Sequence, residues 1–122
     1  MSRVNVFYFQ EDECTVPLIR WLDGIPAKAQ QKCLARLQRL EELGHELRRP
    51  EADYLRDGIY ELRASYLGVH YRMLYFFYGR AAVVVSHGIV KERSVPPREI
   101  DLAAKRRKTF EANPTKHGFH GS

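Results

Sequence analysis

The 122-residue chain is 44% hydrophobic and 29% charged, a globular composition rather than a disordered one, with room for one domain around one core. Twenty Lys and Arg against fifteen Asp and Glu give a net charge of +5, which points to an anionic partner, nucleic acid foremost. No apolar run approaches the roughly 20 residues of a bilayer span. The opening residues carry no basic segment followed by an apolar stretch, so a soluble, unsecreted, cytoplasmic protein without membrane contact is expected.

In chain order, "RVNVFYF" (3–9) runs into β-branched and aromatic residues and predicts a strand. After the acidic turn "QEDE", "CTVPLIRWLDGI" (14–25) predicts a short amphipathic helix, with Thr15 as N-cap, Pro17 in its first turn and Gly24 ending it. Pro26 opens the clearest helix. Ala29, Cys33, Leu37 and Leu40 recur at three- and four-residue spacing, Leu34 and Leu43 widen the stripe, and Gly44 stands at the C-terminal cap. Residues 45–58 show no convincing period and read as a loop, containing Pro50 and ending in Asp57-Gly58. Three strands are expected within 59–91, followed by a helix opened by Pro96-Pro97. That helix has Ile100, Ala103 or Ala104 and Phe110 inward and Lys105, Arg106, Arg107 and Lys108 outward.

The domain is expected over residues 1–113, with 114–122 as a disordered tail. The element order β-α-α-β-β-β-α implies an α+β fold, a small antiparallel sheet with the N-terminal helical hairpin on one face. The spacing of Cys14 and Cys33 suits no metal site, so two reduced thiols and no metal or cofactor are expected. The positive charge is uneven. Residues 1–62 carry nine basic and eleven acidic side chains, and residues 63–122 carry eleven basic and four acidic.

The strands hold an anomaly. Glu61, Arg63, Arg72, His87 and Lys91 stand where a sheet ordinarily carries valines and threonines. With two-residue turns at Leu67-Gly68 and Gly79-Arg80, Arg63 would oppose Arg72 and Arg72 would oppose His87. That register is one basic row on adjacent strands about 5 Å apart. Like charges in direct opposition destabilise a sheet, so the row is either a solvated face with local ion pairs or a site for an anion. Fixed cations aimed at a phosphodiester stabilise the charge it gains on cleavage. RNA supplies its own 2′-hydroxyl nucleophile, leaving His87, Tyr60 or Glu61 as candidates to move protons.

"DGIYELR", "YRMLYFF" and "HGIVKER...PPREIDLAAKRRK" occur in an order and spacing that resembles the phage-derived, HigB-like branch of the RelE/ParE toxin superfamily, over roughly residues 3–112. The resemblance implies a RelE-like fold and the toxin of a type II toxin–antitoxin module. It implies a metal-independent, ribosome-dependent endoribonuclease acting on mRNA, restrained by a helix-turn-helix antitoxin of HigA type. By the same resemblance Arg63, Arg72 and Lys91 are phosphate ligands, with Glu61, Tyr60 and His87 at motif positions. Arg93, Arg98 and the Lys105, Arg106, Arg107, Lys108 cluster are candidate RNA contacts. Lys91-Glu92-Arg93 replaces the consecutive lysines followed by Thr or Ser that relatives often show, leaving Lys91 and Arg93 both open as the second phosphate ligand. Two alternatives stand beside the nuclease. One is a ParE-like toxin inhibiting DNA gyrase by protein contact, and the other is a decayed module that only binds its antitoxin.

Overall fold

A computed structural model describes residues 3–90 and 93–120. Strand β1 (Asn5–Phe9) leads into α1 (Pro17–Asp23) and α2 (Ala27–Leu43). Pro17 occupies the first turn of α1, but the cap position is Val16, with no side-chain hydrogen bond, so Thr15 is not the cap. In α2 the expected stripe is inward, with Ala29, Cys33, Leu37 and Leu40 buried and Gly44 taking φ 53° at the C-terminus. Leu34 lies outside the stripe at 46% exposure, because it is about 100° around the helix from Cys33.

The sheet is larger than expected and is mixed rather than antiparallel. Strands β2 (Ala52–Arg56), β3 (Ile59–Tyr66), β4 (Val69–Tyr78) and β5 (Ala82–Val90) form an antiparallel meander. β1 then lies parallel beside β5, from Asn5↔Ala82 to Tyr8↔Val85. The complete order is β2-β3-β4-β5-β1-β6, where β6 is the two-residue strand Gly118–Phe119. A parallel neighbour needs a long crossover, and the two helices with the meander supply it. Turn chemistry reveals only hairpin neighbours, so the sequence did not disclose this pairing.

Two segments differ from expectation. Within 45–58, β2 pairs with β3 through a turn in which Asp57 and Gly58 both have positive φ. Asp-Gly is a hairpin signal, but Ala-Asp-Tyr-Leu-Arg lacks the alternation of a half-buried strand. The tail beyond Asn113, expected to be disordered, forms a helical turn, α4 (Pro114–His117), and then β6. His117 is buried and stacked on Phe9 at 5.4 Å, and its Nδ1 donates to the Gln10 carbonyl at 2.7 Å.

Both sheet faces are covered. α1 and α2 pack on the face bearing Leu62, Tyr71, Met73, Tyr75, Val83 and Val85. Helix α3 (Pro97–Ala112) covers part of the other, where Ile100, Ala103 and Phe110 meet Ile59, Leu74, Phe76 and Val84. The first hairpin turns at Leu67-Gly68, both at positive φ, and sets Arg63 opposite Arg72 as expected. The second does not follow the expected register. Its connection spans residues 79–81, and a bulge lies between the Tyr75↔Val85 and Leu74↔His87 pairs, at Ser86. Arg72 therefore opposes Ile89, and His87 opposes Leu74. The longer connection and the bulge each shift register by one residue. A one-residue slip alone flips a side chain to the other face, whereas two restore it. His87 keeps the expected face but stands two residues along from the Arg63–Arg72 pair.

The indole of Trp21 lies against Gly88 so closely that a Cβ there would overlap its ring. Gly88→Val is expected to destabilise the fold by about 1–3 kcal/mol through overpacking, read as a lower urea midpoint with an unchanged slope.

Candidate functional site

The charged face is built around one carboxylate. Glu61 is 3% exposed. Its Oε1 accepts from Arg72 Nη1 at 2.6 Å, and its Oε2 accepts from Arg63 Nη2 at 2.8 Å. Arg63 Nη2 also reaches Asp53 Oδ2 at 3.3 Å, and Arg49 Nη2 meets the same oxygen at 2.8 Å. Asp53 stands opposite Glu61 on β2. Its carboxyl is held below the usual range first by the hydrogen bond from Arg49, with Arg63 adding its charge and burial opposing. Three guanidiniums and two carboxylates thus interleave, which resolves the cost of opposing two arginines in a sheet. Arg63 remains the more open of the pair, at 34% side-chain exposure against 12% for Arg72. Arg63 Nε is buried without a hydrogen-bond partner among the described residues.

His87 belongs to a second network on the same face. Glu99 is a carboxylate and accepts from His87 Nε2 at 2.9 Å, so Nδ1 accepts from the Ser86 hydroxyl at 2.7 Å. Burial lowers the His87 pKa, Arg106 adds to that, and Glu99 opposes it. A neutral imidazole fits this arrangement. Ser86 is fully buried, so the Ser-His-Glu chain offers no exposed nucleophile. Arg106 turns inward instead of outward. It approaches the Ser86 carbonyl and hydroxyl at 3.4 Å, pairs with Glu11 at 3.2 Å and lies over Phe9. Serine in a bulge and a glutamate in the first turn of α3 have no distinctive spacing, so Ser86 and Glu99 were not foreseen. Asp53 escaped because β2 did.

The remaining candidates separate. Tyr60 is on the opposite face from Glu61, stacked on Tyr75 at 5.3 Å and edge-on to Phe77 and Tyr54. Alternation within β3 requires this, so Tyr60 is not brought to the arginines. Arg107 is paired with Glu111 and bonded to the Asp57 carbonyl rather than directed freely outward. Lys105, Lys108, Arg93 and Arg98 are exposed. Lys91 lies outside the described residues.

Residues 20–108 match the family described as Phage derived protein Gp49-like (DUF891). The chain belongs to this family. It is a toxin–antitoxin-associated family, and membership implies an antitoxin partner. The matched segment includes β2 to β5 and both networks around Glu61 and His87. A search of curated proteins finds no match. No described helix is long and apolar enough to cross a membrane.

Removing one partner of a buried pair leaves an uncompensated charge. Glu61→Ala is therefore expected to cost about 3–5 kcal/mol, and a double-mutant cycle with Arg72→Ala should show coupling above ~1 kcal/mol. Additive losses in chemical denaturation would contradict the shared-carboxylate geometry.

His87 has its own pH signature. Its folded pKa lies below the ordinary 6.5, so the unfolded chain takes up a proton first as pH falls. Its contribution is complete above 6.5 and is lost as pH falls from there toward the folded value. Between about pH 7.5 and 5.5 the native chain should lose more stability than His87→Gln, as read by urea unfolding at each pH.

Proposed function

We propose that this protein is the toxin of a type II toxin–antitoxin module and an endoribonuclease that cleaves mRNA on the ribosome. The observation that carries the reading is the direct cross-strand pair of Arg63 and Arg72, both guanidiniums anchored on Glu61 at one sheet face. In the reaction the RNA 2′-hydroxyl gives up its proton as its oxygen attacks the adjacent phosphorus. The 5′-oxygen of the next nucleotide leaves with a proton, and a 2′,3′-cyclic phosphate remains. Arg63, the more exposed guanidinium, faces the phosphate oxygens where charge accumulates. Glu61 fixes its position, and Arg72 balances the carboxylate from the other side. Lys91 or Arg93 supplies the second phosphate contact. His87 acts through Glu99, since its Nε2 proton is directed there.

A gyrase-type protein contact is the second reading, favoured by one observation. Both guanidiniums are already engaged by Glu61 and the His87 side chain is only 9% exposed, a pattern that a purely structural ion-pair network also satisfies.

Induced expression with mapping of new 5′ ends separates them. The native chain should arrest growth and generate ends inside translated messages, and Arg63→Ala, Arg72→Ala or Lys91→Ala should lose both in at least one variant that still folds. Arrest without message cleavage, indifferent to all three substitutions, would replace the nuclease by the protein-contact reading. No arrest in the native chain would point to a decayed module.

A further inference from the structure

On the face opposite Arg63 and Arg72, at the β2 edge, lies a cleft of about 300 Å³. Leu47 and Ala52, both buried, contribute apolar wall, and the rings of Tyr54 and Tyr60 line one side. Tyr54 is 52% exposed, unusual for a large aromatic on a strand. Its ring is not loosely held. Its hydroxyl accepts from the Gly58 N–H at 3.1 Å, and it packs edge-on against Tyr60 at 5.0 Å and 68°. Tyr60 in turn stacks on Tyr75. The result is an aromatic platform anchored in the core and open on its outer side.

The rim of the cleft is basic. Arg48 is exposed, with no ion pair among the described residues, and Arg49 is 75% exposed while pairing with Asp53. Among the described residues Asp53 is the one carboxylate lining the cleft, and it also touches Arg63. The cleft therefore adjoins the Glu61 network around a single edge strand, with strand spacings of about 5 Å. An anchored exposed ring beside solvent-exposed guanidiniums suits one class of ligand, because every nucleobase has a π-face and every nucleotide a phosphate.

We propose that this cleft is a nucleobase site for single-stranded RNA, in which a base stacks on Tyr54 and flanking phosphates meet Arg48 and Arg49. It rests on the RNA-cleaving reading and deepens it: the strand wraps the β2 edge, one base held in the cleft and a neighbouring phosphate brought toward Arg63. Tyr60, a sequence candidate for proton transfer, serves here as the support beneath Tyr54.

The test uses a short fluorescein-labelled single-stranded RNA, 2′-O-methylated so that it cannot be cleaved, with anisotropy read on the full chain at low salt. Tyr54→Ala should weaken binding about tenfold, the loss of one stacked base, while Tyr54→Phe binds as the native chain does. Arg48→Ala should reduce the salt dependence of binding. A duplex of the same sequence should show no dependence on Tyr54. Both substituted positions are exposed, and thermal melting confirms that each variant folds. Undiminished binding by Tyr54→Ala would overturn the cleft, as would equal loss in Tyr54→Phe, which would trace the effect to the Gly58 hydrogen bond. Absence of single-stranded RNA binding by the native chain would overturn it too. The two readings fail separately. Tyr54-dependent binding without cellular message cleavage leaves the cleft and removes the nuclease, and Arg63-dependent cleavage with Tyr54-independent binding does the reverse.

Discussion

The buried carboxylate of Glu61 is the constraint on which the charged half of the sheet depends. Two arginines opposed across β3 and β4 would repel at a separation where the sheet interior screens little. One shared carboxylate converts that repulsion into a pair of short, charge-assisted bonds. Asp53 extends the arrangement to the edge strand, so β2, β3 and β4 are joined by side chains as well as by their ladder. Arg36 and Arg39 add a bond from α2 to the Arg63 carbonyl and pairs to Glu51. Those outer pairs are partly solvated and each contributes little. The dry bonds around Glu61 are the ones whose loss the fold would feel.

The bulge at Ser86 is the second decisive feature, and it works by geometry rather than charge. It moves His87 away from the arginine pair while keeping it on the same face, and brings it under the first turn of α3. There the imidazole meets Glu99, and Arg106 closes the space from the helix. Two polar networks thus share one face without merging. One contains guanidiniums partly open to solvent, and the other is an enclosed chain of neutral and charged groups.

The charge of the C-terminal half is also partitioned. Eleven basic residues against four acidic ones suggest a broad cationic surface, yet Arg63, Arg72, Arg106 and Arg107 each have a carboxylate partner. Lys105, Lys108, Arg93 and Arg98 remain exposed on α3 and just ahead of it. Net charge therefore overstates the freely available cations, because three of these four arginines are partnered by acids from the N-terminal half, Glu11, Asp53 and Glu61.

By itself the sequence determined what depends on short separations. The α2 stripe follows from a 3.6-residue period, the Leu67-Gly68 turn from a glycine set between two strand patterns, and the shared face of Glu61, Arg63 and Arg72 from strand alternation and one two-residue turn. Helix α3 and its inward Ile100, Ala103 and Phe110 were legible for the same reason. Tertiary structure alone decided the parallel insertion of β1, the ordering of the tail on β1, the bulge, the inward turn of Arg106 and the pairing of Asp53 with Arg63. Each of these joins segments distant in the chain or depends on a register set by such contacts. The local pattern is the same whether or not the distant partner is there, so only the packed fold can choose.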